Sequence, residues 1–152
     1  MFKTCFTPVR MALILIPGLF VLGSLYSQAR DQEAGEAEKL VDQQLQAYNR
    51  HDLEAFLKPY AADVKIYDFP DKERMTGKEA MRKAYGTYFG KNPDLKAVVT
   101  KRIVQGDTII DHEHVTATNL DFKAIAIYRI REGKINSVWF IRYLFPCLLR
   151  FS

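Results

Sequence analysis

The feature that most constrains the fold lies between Leu95 and Leu144. Four segments, LKAVVTKRIV, TIIDHEHVTAT, FKAIAIYRI and KINSVWFIRYL, are separated only by QGD, NLD and REG. Each segment is rich in β-branched and aromatic residues, and short links carrying Gly, Asn or Asp are those that antiparallel hairpins use. Links this short leave no room for crossover helices, so the four strands form a meander. Its apolar face must be buried against something else in the chain.

The preceding residues supply the cover. Leu40, Val41, Leu45 and Tyr48 recur at helical spacing and predict an amphipathic helix ending near Asn49. Asp52 is placed to cap a shorter helix in which Leu53, Phe56 and Leu57 share a face, with Pro59 limiting it. VKIYDFP reads as a strand stopped by Pro70. TGKE, Thr76 to Glu79, has the form of a capping box, in which the Thr side chain would accept from the Glu79 backbone. Ala80, Met81, Ala84, Tyr85, Tyr88 and Phe89 follow as a third helix, closed by Gly90 and the NPD turn. The layout is α+β, with three N-terminal helices on one face of a curved antiparallel sheet. At 152 residues and 48% hydrophobic content the chain supports one such core and not two.

Residues 1–29 read as a secretory signal: Lys3 and Arg10 precede the apolar run MALILIPGLFVLGSLY, and SQA offers small residues before a cut at Arg30. The rival reading, a retained anchor, meets a run shorter than the ~20 residues of a span and broken by Pro17, Gly18 and Gly23. Residues 30–38 are then a flexible lead-in, 39–145 the folded domain and 146–152 an apolar tail. The segment 1–29 holds two basic and no acidic residues, so a mature chain would carry 20 Lys and Arg against 18 Asp and Glu, a net of +2. Charges alternate in sign along the chain without a basic stripe, which argues against nucleic acid as a partner. Cys5 would leave with the signal and Cys147 would remain alone, so the expectation is a secreted or periplasmic domain without an internal disulfide.

The order of elements, with YNRHDLEAFLKPYAADVKIYDFP, TGKEAMRKAYGTYF and AIYRIREGKINSVWFI, resembles the nuclear transport factor 2-like superfamily and within it the SnoaL-like and ketosteroid-isomerase-like proteins. The resemblance implies a cone, a bent sheet wrapped around helices and open at one end into an apolar pocket. It also implies a homodimer through the sheet, a small apolar or amphipathic ligand and no cofactor. Asp68 falls at the place of the isomerases' proton-moving Asp, at a strand end before a Pro turn. Their oxyanion pair, a Tyr and a protonated Asp, falls at Gln44 and Ala126, so the chain departs from the isomerase pattern there. The function this implies is cofactor-free proton transfer by an isomerase or lyase; the alternative is a non-catalytic binding or association module on the same fold. Asp68 has its own alternative as a turn residue accepting from the Phe69 to Asp71 backbone.

IIDHEHVT, residues 109 to 116, puts four titratable side chains in a row. Alternation on a strand sends His112 and His114 to one side and Asp111 and Glu113 to the other. The register that the resemblance implies places the histidines on the concave side, with Ala124, Ala126, Tyr128, Val138, Phe140 and Arg142. Three readings then compete for them: half-buried imidazoles satisfied by neighbours, an acid/base pair, or a metal site. The last lacks a third protein ligand, so no metal is expected. His112 joins Asp68 as a candidate catalytic residue, and His114, Tyr128, Phe140, Arg142 and Tyr48 are candidate ligand contacts. Arg142 either snorkels to the rim or pairs with an anion. Asp111 and Glu113 are expected on the outer face, meeting Arg102, Arg129 or Arg131.

Overall fold

The computed structural model describes residues 18–142, with side chains from residue 32 onward. Its elements run α1 (Gly18–Arg50), α2 (Leu53–Leu57), β1 (Tyr60–Asp68), β2 (Lys72–Thr76), α3 (Lys78–Lys91), β3 (Lys96–Gln105), β4 (Thr108–Ala117), β5 (Leu120–Arg131) and β6 (Lys134–Arg142). The strands form one sheet in the order β2-β1-β6-β5-β4-β3. The β3 to β6 meander is antiparallel throughout, as its short links require, but β1 joins β6 in parallel, which makes the sheet mixed. Register shifts in β1, β3 and between β5 and β6 mark bulges, which add local twist and bend the sheet around the helices.

Helix α1 is longer than its apolar periodicity predicts. Residues 30–38, expected as a flexible lead-in, continue it, and Ala37 joins Val41, Gln44 and Ala47 in a buried stripe facing the sheet. The apolar tail 146–152, Cys147, Cys5 and the first seventeen residues of the expected signal lie outside the described residues. Among the described residues no helix is long and apolar enough to cross a membrane.

Two polar clamps fix α1 to β3. The Asn49 side chain donates to the Ala97 carbonyl at 2.9 Å and accepts from the Ala97 N–H at 2.8 Å, standing in for a neighbouring strand. Arg102 reaches back from β3 to Asp42 at 2.7 Å. The expected cap of α2 forms, with Asp52 accepting from the Ala55 N–H at 3.0 Å. The cap of α3 differs from expectation: Thr76 closes β2 and its hydroxyl donates to Glu73, while Gly77 takes the N-cap at φ 84°, a left-handed conformation that glycine adopts without Cβ strain. KERMT pairs with β1 as a strand that its polar sequence did not announce, since Met75 is the one apolar residue in it.

Candidate functional site

The inner faces of β4, β5 and β6 and the helices enclose a cavity of about 440 Å3. Leu45, Tyr48 and Gln44 enter it from α1, Phe56 from α2, Tyr85 and Tyr88 from α3, and Glu113, Phe122, Tyr128 and Phe140 from the sheet. Eight of the nineteen lining residues are aromatic, which follows from the third helix's periodic tyrosines meeting the meander's concave residues. Four of the residues expected to contact a ligand, Tyr48, Tyr128, Phe140 and Arg142, come together here.

The histidines do not. Glu113 pairs with Ala124 and Asp111 with Ala126, so it is the carboxylates that share the concave face with those alanines. His112 and His114 point to the convex face, correcting the orientation expected of them. His112 Nδ1 lies 3.1 Å from the Thr100 hydroxyl, and His114 Nε2 lies 2.7 Å from Asp121. The physical cause is the turn after β4. Its loop is two residues, Thr118 and Asn119, between the paired Ala117 and Leu120, rather than the three of NLD. One residue of difference reverses which side chains face inward. Counting a two-residue turn between Ala117 and Leu120 would have found Glu113 from the sequence.

Asp111, 0% exposed, receives a two-pronged contact from Arg102, Nε to Oδ1 at 2.7 Å and Nη2 to Oδ2 at 2.8 Å. Arg102 was among the expected partners, but the contact is buried under α1 rather than solvated. The pair is thereby neutralised, and Asp42 and Glu38 hold the guanidinium from above.

Among the described residues no cation contacts Glu113 in this way. It is 7% exposed, and its Oε1 accepts from the Tyr128 hydroxyl at 2.9 Å. Behind it runs a chain of donors: Tyr60 donates to the Gln44 side-chain oxygen at 3.2 Å, and the Gln44 amide donates to the Tyr128 oxygen at 3.1 Å. Every bond in this chain points toward the carboxylate. Burial pushes the Glu113 carboxyl up to about 7, the Tyr128 bond opposes the rise, and Asp111 adds to it. Burial likewise raises the Tyr128 and Tyr60 phenols well above their ordinary range. The result is one carboxyl poised between charged and neutral at physiological pH, in an apolar chamber with neutral phenols around it.

A second polar group occupies a more exposed wall. Arg74 and Arg142 line the cavity, and Asp68 lies beside them, with Arg74 Nε at 3.4 Å and Arg142 Nη2 at 3.9 Å. The Asp68 side chain is 41% exposed, so it does not sit in a buried apolar setting. Among the described residues no group of three or more His, Cys, Asp or Glu side chains is arranged to hold a metal ion.

A curved sheet wrapped around helices, with an apolar chamber between them, is the cystatin-like, nuclear transport factor 2-like class of fold. The model for the SnoaL-like domain matches residues 41–138, and the chain belongs to that family. A cystatin-fold protein from Novosphingobium aromaticivorans is similar, at 24% identity and TM-score 0.65 over 70% of this chain and 97% of that one. A provisionally named ketosteroid isomerase from Kribbella flavida aligns at 18% identity and TM-score 0.64, covering 71% and 78%. A provisionally named hydroxylase from Streptomyces galilaeus aligns at 23% and 0.66, covering 76% and 95%. At these identities the structural likeness establishes the fold. Among curated proteins no sequence matches the chain.

Proposed function

We propose that this is a small-molecule pocket enzyme, an isomerase or lyase working by cofactor-free proton transfer, with Glu113 as the base. One observation carries the reading: a nearly buried carboxyl without a contacting cation, held near neutrality by burial, faces an aromatic cavity. A base near the working pH combines a sufficient ionised fraction with a sufficient proton affinity. Glu113 would take a proton from a carbon next to a carbonyl, and the electron pair would pass to the carbonyl oxygen as an enolate. Tyr85, its phenol pushed up to about 12 by burial, stays neutral and can donate to that oxygen. Return of the proton to another carbon gives an isomer; loss of a leaving group one carbon further gives a lyase product.

Asp68 and His112 recede in this reading, Asp68 to the guanidinium wall and His112 to the outer face. The test uses a probe that asks only for a base in an apolar site. In nitrobenzisoxazole a base removes the ring C–H proton, the N–O bond breaks and the charge leaves on a phenolate. The protein should open this ring with a rate that rises through about pH 7, and Glu113→Gln should slow it by ~100-fold or more while His112→Ala does not. A Glu113→Gln variant as fast as the parent would leave the alternative, a non-catalytic carrier.

Homodimerisation through the sheet is part of the same proposal. Ile110, Ile125, Ile127, Trp139 and Ile141 lie together on the convex face, and Val98 and Ile103 there are 61% and 62% exposed. An open apolar face of this extent is what an isologous partner covers. Export rests on the signal-like residues 1–29, and the intact mass of the exported form would test a start near Arg30.

A further inference from the structure

The cavity holds two guanidiniums where its fold would need none. Arg74 on β2 and Arg142 at the end of β6 both line it, with side chains only 28% and 32% exposed. Both also stand over the ring of Phe140, at 5.9 and 5.6 Å from its centroid, within the range of a cation–π contact. The Phe140 ring thus holds the two cations on the cavity wall rather than letting them extend into water.

Among the described residues their one acidic neighbour is Asp68, and it serves both at long range, 3.4 and 3.9 Å. Among the described residues neither guanidinium donates a hydrogen bond to a protein acceptor, unlike Arg102, which makes three. Two cations share one carboxylate, leaving a surplus of one positive charge with its planar donor faces unspent. Glu113 forms no ion pair with either arginine; its Oε1 accepts from the Tyr128 hydroxyl. The same cavity lining includes Tyr85, Phe122, Leu120 and Met75.

We propose that the cavity selects an amphipathic organic monoanion, its carboxylate held by Arg74 and Arg142 and its flat apolar body lying along the aromatic wall toward Glu113. This rests on the reading of the cavity as a ligand site and adds the class of ligand to it. A carboxylate matches the geometry of guanidinium donors, which can bind it in a planar fork, and a single charge matches the surplus. Anchoring one end at the arginines would present the opposite end of the molecule to the carboxyl, so the same contacts that select the ligand would orient it.

A matched pair of probes tests the charge and the cavity separately. Naphthoate and naphthamide share shape and apolar area and differ in one negative charge. Titration calorimetry on the full chain at low salt should find naphthoate bound ~10-fold or more tightly, with the preference shrinking as salt is added. Arg74→Gln with Arg142→Gln should abolish the preference while leaving naphthamide affinity within about twofold, which also shows that the variant is folded. Glu113→Gln should retain the preference, so a loss of base chemistry and a loss of anion selection can be told apart. Equal affinity for the two probes, or a preference that survives the double arginine variant, would overturn the proposal while leaving the base reading intact. Binding of neither probe would overturn both.

Discussion

The two faces of β4 carry similar numbers of titratable groups and put them to opposite uses. On the convex side His112 and His114 each meet one polar partner at the surface, Thr100 and Asp121. On the concave side Asp111 and Glu113, each one position away, are shut in among apolar residues. The inner pair is itself divided, since Asp111 is neutralised by Arg102 and Glu113 is not. A charge that is exposed contributes little, a buried charge with a partner holds elements together, and a buried carboxyl without one becomes a proton acceptor.

The largest effect that could break this contrast is on Arg102. Arg102→Met would strand the Asp111 carboxylate in the interior and release α1, and should lower unfolding stability by about 3–5 kcal/mol in urea titration. A loss below about 1 kcal/mol would place the Asp111 pair with ordinary surface ion pairs.

Glu113 comes next, through pH. Its carboxyl is raised to about 7 in the folded protein from an ordinary value of 4.5, so between those pH values the folded state binds more protons than the unfolded one. Stability from this group is therefore fully present below about pH 4.5 and is lost as pH rises through about 7. The loss should reach up to about 3 kcal/mol, and Glu113→Gln should flatten the curve over that window. Melting curves from pH 4 to pH 8 would show it, and a variant as pH-dependent as the parent would remove Glu113 from the account.

Tyr128→Phe sharpens the comparison further. It removes the donor that favours ionised Glu113, so the midpoint of any Glu113-dependent rate should move to higher pH, with a stability loss of about 1–2 kcal/mol. An unchanged midpoint would mean that the hydrogen bond does not govern the carboxyl. His112→Ala marks the small end of the scale, with an expected change within about 0.5 kcal/mol in the same urea titration.

Much of the fold was legible locally. The short links of the meander announced antiparallel hairpins, and the apolar spacing of α3 announced its buried face. The concave residues of β5 and β6, Ala124, Ala126, Tyr128, Val138 and Phe140, followed from the register that the resemblance implies, and they face the cavity side. On β4 the alternation is present but its phase is not marked: apolar residues lie on both faces, with Ile109 and Val115 inward and Ile110 outward. Burying carboxylates runs against the ordinary preference of charged groups for the surface, so polarity gave no warning that the register implied by the resemblance was off by one. Arg74 escaped because KERMT lacks a strand's apolar alternation and pairs only because β1 offers it an edge.

What the sequence by itself determined was the kind of every element but β2, since element type depends on spacing within a few residues, and, through the resemblance, the family of the whole. Which side of β4 faces the cavity, which of its two carboxyls finds Arg102, and where Arg74 and Arg142 converge were decided only by the tertiary structure. Those outcomes depend on one residue of turn length and on strands distant in the chain. A parity change of one reverses an entire face, and the environment that turns Glu113 from a surface charge into a base exists only once α1, α3 and the sheet have closed around it.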